Sequence, residues 1–201
     1  MCRLAARCRC AHGFTLLELV CVAAIIVILA GIAIPLGAQA LEEGRVRSAA
    51  RYLSGRLYWT RMEAVKRSCY TGLRFEQQGQ AVTFSIYIDG NHTGILSRDI
   101  ANGTDRRLGA PERLSDLFPR VIFAILPNTG PIDPGEVLEA GGDPIRFGRS
   151  SIVSFSPDGT CTPGTVYVSG QRSQLAVRVL GATGRIRTLR FDFGVRRWID
   201  P

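Results

Sequence analysis

Eighteen consecutive residues, Leu19–Leu36, carry no charge, and a single carboxylate, Glu18, stands at the mouth of the run. As a helix the run would span about 27 Å, close to the roughly 30 Å of a bilayer's hydrocarbon core. A stretch this uniformly apolar has no polar face to turn to water, so it constrains the chain to a membrane helix joined to a separate body. A carboxylate in such a place is costly and ordinarily has a partner. Arg3, Arg7 and Arg9 precede the run with no acid among them. That asymmetry keeps the N-terminus cytoplasmic and sends the remainder outward. In a bacterial-type cell the expectation is a single-pass inner-membrane protein with a periplasmic C-terminal domain.

Three readings compete for this N-terminus. Ala38-Gln39-Ala40 resembles a secretory cleavage site, but the run exceeds the usual apolar core of about 7–15 residues. A plain signal anchor would leave Glu18 unexplained. The stretch Gly13-Phe14-Thr15-Leu16-Leu17-Glu18-Leu19-Val20, behind a short basic leader and with Pro35 further on, closely resembles a type IV pilin-like prepilin signal. That resemblance implies cleavage between Gly13 and Phe14 by a prepilin peptidase, methylation of the new N-terminus and retention of the helix. It also implies that Glu18 accepts the Phe14 amine of a neighbouring subunit, which answers the question of the missing partner. The expected organisation is a leader over 1–13, a transmembrane helix over 14–36, an amphipathic continuation over 37–68 and a β-rich domain over 69–201.

Helical periodicity runs from Leu16 to about Arg67. Pro35 and Gly37 predict a kink or local melt, because proline removes a helix hydrogen bond. Beyond them Val46, Ala49, Ala50, Leu53, Leu57 and Ala64 recur at helical spacing and predict a core-facing stripe, with the interspersed arginines on a solvated face. After Ser68 the period becomes two. Tyr70–Glu76, Ala81–Ile88, Val121–Leu126, Ile152–Ser156, Thr165–Ser169, Leu175–Leu180 and Arg185–Phe191 read as strands. Residues 127–148, rich in Pro and Gly, read as a long surface loop. The fold class is therefore α+β, a long N-terminal helix laid on mostly antiparallel sheets.

Phe155-Ser156-Pro157-Asp158-Gly159-Thr160, then Thr165–Val168, then Gly184-Arg185-Ile186-Arg187, resembles the GspH/FimT pseudopilin domain. The resemblance implies a minor pseudopilin of a type II protein secretion system, a structural subunit of the pseudopilus. Its partners would be other pseudopilins or pilins and, in the periplasm, secreted proteins. The alternative it leaves open is a FimT-like minor pilin that binds DNA during uptake.

The chemistry-bearing residues are few. With two histidines, His12 and His92, and no nucleophile or phosphate-loop motif, the chain is not expected to be an enzyme. No cofactor is expected apart from calcium, for which Asp89, Asn91 and Thr93 alternate as in the first half of an EF-hand loop, with Ile95 supplying a carbonyl. The bidentate acid of such a loop is absent, since Ile100 stands in its place, and the same spelling suits a hairpin turn. Arg185, Arg187 and Arg190 belong to a C-terminal segment rich in arginine, where guanidiniums at strand spacing could grip successive phosphates of DNA and Trp198 could stack on a base. Cys69 and Cys161, the two cysteines of the outer domain, are either a disulfide or two free thiols.

Overall fold

The computed structural model describes residues 15–79 and 81–200. The chain forms two units, Met1–Ala40 and Leu41–Pro201, each described here by itself.

Helix α1, Leu16–Arg67, runs through both. In the first unit it is long and apolar enough to cross a membrane, and its large apolar side chains from Leu16 to Leu36 are exposed. The chain stays helical through residues 35–37, so the melt expected at Pro35 and Gly37 does not occur. One proline deletes one hydrogen bond, and the turns on either side keep theirs.

In the second unit, α1 from Leu41 onward is two-faced. Val46, Ala49, Ala50, Leu53, Leu57 and Ala64 are all 0% exposed, as their spacing predicts. The opposite face departs from expectation: it carries arginines, but also exposed Tyr58, Met62 and Val65. The body beneath holds strands β1 Thr71–Gln78, β2 Ala81–Ile88, β3 Arg106–Arg113, β4 Ile122–Phe123, β5 Ile145–Arg146, β6 Ile152–Phe155, β7 Gly164–Ser169, β8 Gln174–Leu180, β9 Arg185–Asp192 and β10 Arg197–Ile199. Short helices α2, Ser97–Ala101, and α3, Leu114–Leu117, lie in the connections.

Two sheets result, ordered β3-β2-β1-β6 and β10-β9-β8-β7-β4, with β5 also on β7. Every pairing is antiparallel. The first sheet sends Leu73, Phe75 and Phe84 to the helix stripe, and the second sends Val166, Val168, Val177 and Ile186 to the same cluster. Phe75 joins the two, stacking on Phe147 at 6.1 Å and meeting Phe123 edge-on at 5.7 Å.

Residues 127–148 are not wholly loop, since β5 falls inside them. The stretch from Gly130 to Gly142 straps the other face of the second sheet, packing Ile132 and Leu138 over Tyr167, Ala176 and Leu189. Gln174, 0% exposed, holds the start of that crossing: its Nε2 donates to the carbonyls of Ala124 and Val168, and its Oε1 accepts the N–H of Leu126.

Candidate functional site

Thr15 caps α1. Its Oγ1 accepts the N–H of Glu18 at 3.2 Å, half of a Thr-x-x-Glu capping box that the sequence spells and the periodicity reading missed. The carboxylate of Glu18 is exposed and has no hydrogen-bond or ion-pair partner among the described residues. Gly13 and Phe14, the expected cleavage pair, lie outside the described residues.

The arginine-rich C-terminal segment does not form one patch. Strand alternation sends Ile186, Thr188 and Arg190 toward α1, where Thr188 meets Ser54 at 3.1 Å and Arg190 pairs with Glu43 at 2.8 Å. Arg190 is therefore removed from the candidate nucleic-acid set and given to a helix–sheet contact. Arg187 projects to the other face, on a cross-strand line Arg146–Thr165–Arg178–Arg187. Each arginine on that line has its own carboxylate: Arg146 with Glu136 at 2.5 Å, Arg178 with Asp133 at 2.7 Å, Arg187 with Asp200 at 2.9 Å. The Arg178 guanidinium holds Asp133 below the usual carboxylate range through paired hydrogen bonds. Tyr167 lies beneath, 0% exposed and with its hydroxyl unpartnered; burial, then the nearby Glu136 charge, push it up to about 12. Trp198 is half-buried against Tyr167 and Phe191 and donates its indole N–H to the Gly130 carbonyl at 2.8 Å. It is no free platform for a base. Arg185 is exposed and makes no ion pair among the described residues.

Gly184, which begins the Gly-Arg-x-Arg element, is a packing residue. It is buried with φ +59, and a Cβ there would meet the Gly159 carbonyl oxygen at 2.3 Å and Arg61 Nε at 2.9 Å. The Ser156–Gly159 turn, the β8–β9 turn and Arg61 of α1 thus interlock, which accounts for two of the spelled motifs together.

Around Asp89 the oxygens assigned to calcium face their own loop. Asp89 Oδ1 accepts the N–H groups of Asn91 and His92, its Oδ2 accepts that of Gly94, and Asn91 Oδ1 accepts from Thr93 Oγ1 at 2.6 Å. Asp105, 2% exposed, accepts from Gly90 and Leu96. Burial raises its pKa, the two backbone N–H groups lower it, and the charges of Asp89 and Asp99 add to the rise. Among the described residues no group of three His, Cys, Asp or Glu is disposed to hold a metal ion. The arrangement is a turn closed by carboxylates, with Gly90 tight against the Thr104 carbonyl.

Cys69 and Cys161 are free thiols in this structure. Cys69 is buried where α1 ends, and Cys161 Sγ lies 3.5 Å from the Leu180 carbonyl. Burial raises the Cys161 thiol pKa, with Arg61 opposing the rise. Spacing in sequence carried no information on their approach.

Two family descriptions match the chain. "Prokaryotic N-terminal methylation motif" covers residues 8–34, and "Type II transport protein GspH" covers residues 49–184. No curated protein and no solved structure matches it.

Proposed function

The chain belongs to the GspH family, and from that premise we propose that it is a non-enzymatic minor pseudopilin of a type II secretion system. The observation that carries the proposal is the Glu18 carboxylate, exposed and unpartnered among the described residues at the entry of an apolar helix, within the methylation motif. After cleavage between Gly13 and Phe14, a neighbouring subunit's Phe14 ammonium supplies the missing counter-charge. Two opposite charges in a low-dielectric setting attract strongly, so assembly relieves a cost that the monomer bears and penalises any register that leaves Glu18 alone. The anchor lies in the inner membrane and the body in the periplasm, where it contacts other pseudopilins and secreted proteins.

Mass spectrometry of the mature N-terminus tests the premise. Methylated Phe14 is the expected start; a chain still beginning at Met1, or trimmed after Ala40, overturns it. Glu18→Gln, which keeps the backbone N–H bonded to Thr15, should cut incorporation into filaments by roughly tenfold or more without altering the body's thermal unfolding.

The DNA-uptake alternative rests on Arg185, exposed and without an ion pair. It draws less support from Arg187, tied to Asp200, and none from Arg190, which faces the helix. A gel shift with the full chain, in which Arg185→Ala lowers both affinity and salt slope, would favour it.

A further inference from the structure

Chain length alone bounds the distance from the apolar run to one end of the body. Glu42 follows Leu36 by six residues, at most about 20 Å of extended chain. Glu42 Oε1 accepts the N–H of Arg172 at 2.7 Å, and Glu43 binds Arg190 at 2.8 Å. The start of β8 and the β9–β10 turn therefore lie at that end. Between them is a cavity of about 300 Å³ lined by Arg172, Arg190, Phe191 and Phe193 together with the acids Glu43 and Asp192, and beside it one of about 230 Å³ that shares Arg172 and Phe193.

Four features of this end point the same way. Its exposed apolar groups sit on a hairpin tip and on α1 where the second unit begins: Phe193 is 38% exposed, Val195 63% and Leu41 64%. Four exposed arginines, Arg45, Arg172, Arg196 and Arg197, make no ion pair among the described residues. The acids here are already engaged: Glu42 with Arg172 N–H, Glu43 with Arg47 and Arg190, Asp192 with the N–H groups of Gly194 and Val195. The Nε of Arg190 is buried without a partner, a donor left over beside the larger cavity.

We propose that this end of the body docks on an anionic bilayer, a phospholipid phosphate entering the cavity against Arg172 while the Phe193-Gly194-Val195 tip enters the interfacial layer. Guanidinium forks match phosphate oxygens, aromatic rings favour the headgroup level, and Arg45, Arg196 and Arg197 add attraction to a negative surface. The docked state is that of the lone subunit, and it must be released when the helix is drawn into a filament. The inference rests on Leu19–Leu36 being a membrane anchor and is indifferent to which filament the subunit joins.

The test uses the full chain in lipid nanodiscs of phosphatidylcholine alone or with about 30% phosphatidylglycerol. Trypsin cleavage after Arg196 and Arg197 is followed by mass spectrometry and normalised to cleavage at exposed Arg106 and Arg107 of β3. Cleavage at the tip should be about fivefold slower with the anionic lipid at low salt, and the gap should close near 0.5 M salt, where screening is roughly 4 Å. Arg172→Gln and Phe193→Ser should each abolish the gap. Equal tip cleavage in the two discs at low salt overturns the proposal, as does a full gap retained by both variants. Protection that appears in detergent without lipid and grows with protein concentration assigns the surface to a second copy of the chain and also overturns it. A chain that fails to co-purify with the discs overturns the anchoring itself, an outcome scored separately.

Discussion

Gly184 sits against Gly159 so closely that a Cβ on the first would lie 2.3 Å from the carbonyl oxygen of the second. Backbone meets backbone there, and nothing flexible can yield. Gly184→Ala adds a left-handed residue, costing roughly 1–2 kcal/mol, to a steric conflict of about 1–3 kcal/mol. The thermal midpoint of the body, followed by circular dichroism, should fall accordingly. Arg185→Ala next to it, exposed and unpaired, should leave the midpoint almost unchanged.

The two faces of α1 in the body should respond differently to truncation. Leu53 is 0% exposed amid the core, so Leu53→Ala should cost about 2–5 kcal/mol. Met62, on the same helix but 62% exposed, should tolerate Met62→Ala within roughly 0.5 kcal/mol. Denaturant midpoints of the two variants check the contrast.

Gln174 organises a strap it does not belong to. Gln174→Leu fills the same space but orphans the Leu126 N–H and the carbonyls of Ala124 and Val168. Each buried orphan costs about 1–3 kcal/mol, and hydrogen exchange at Leu126 should rise well before that of β8 as a whole.

Two aspartates should tilt the pH profile in opposite directions. Asp105 has a raised pKa in the fold, chiefly from burial. Its contribution is present below the unfolded value near 3.8 and is lost as pH rises through the raised folded value. Asp133 is lowered by Arg178, so its contribution is present above the unfolded value and lost as pH falls through the depressed one. Relative to the parent, Asp105→Asn should therefore gain in melting temperature as pH rises from 4 to 7, whereas Asp133→Asn should lose at neutral pH, a deficit that closes as pH falls through the depressed value, with the melting temperature read at each pH.

Much of this architecture was legible because its signals are local. The apolar run, the Val46–Ala64 stripe and the two-residue periods of β1, β2, β8 and β9 each depend on spacing along one element. β3 escaped notice because it carries Gly109 and Pro111 on an exposed edge strand, where alternation is weak. β5 and β10 are two and three residues long, too short to show a period. Arg185, Arg187 and Arg190 were grouped by proximity in sequence, but a strand turns neighbours to opposite faces, and Arg190 went to Glu43.

The sequence alone determined that this chain has one apolar helix, an acid at its entry and a β-rich body behind an amphipathic stretch, since charge and periodicity are properties of consecutive residues. Only the tertiary structure decided which arginines keep a free charge, because that depends on carboxylates brought from distant segments. Asp133 reaches Arg178 and Asp200 reaches Arg187 through folding, while Arg172, Arg196 and Arg197 are left without an ion pair among the described residues.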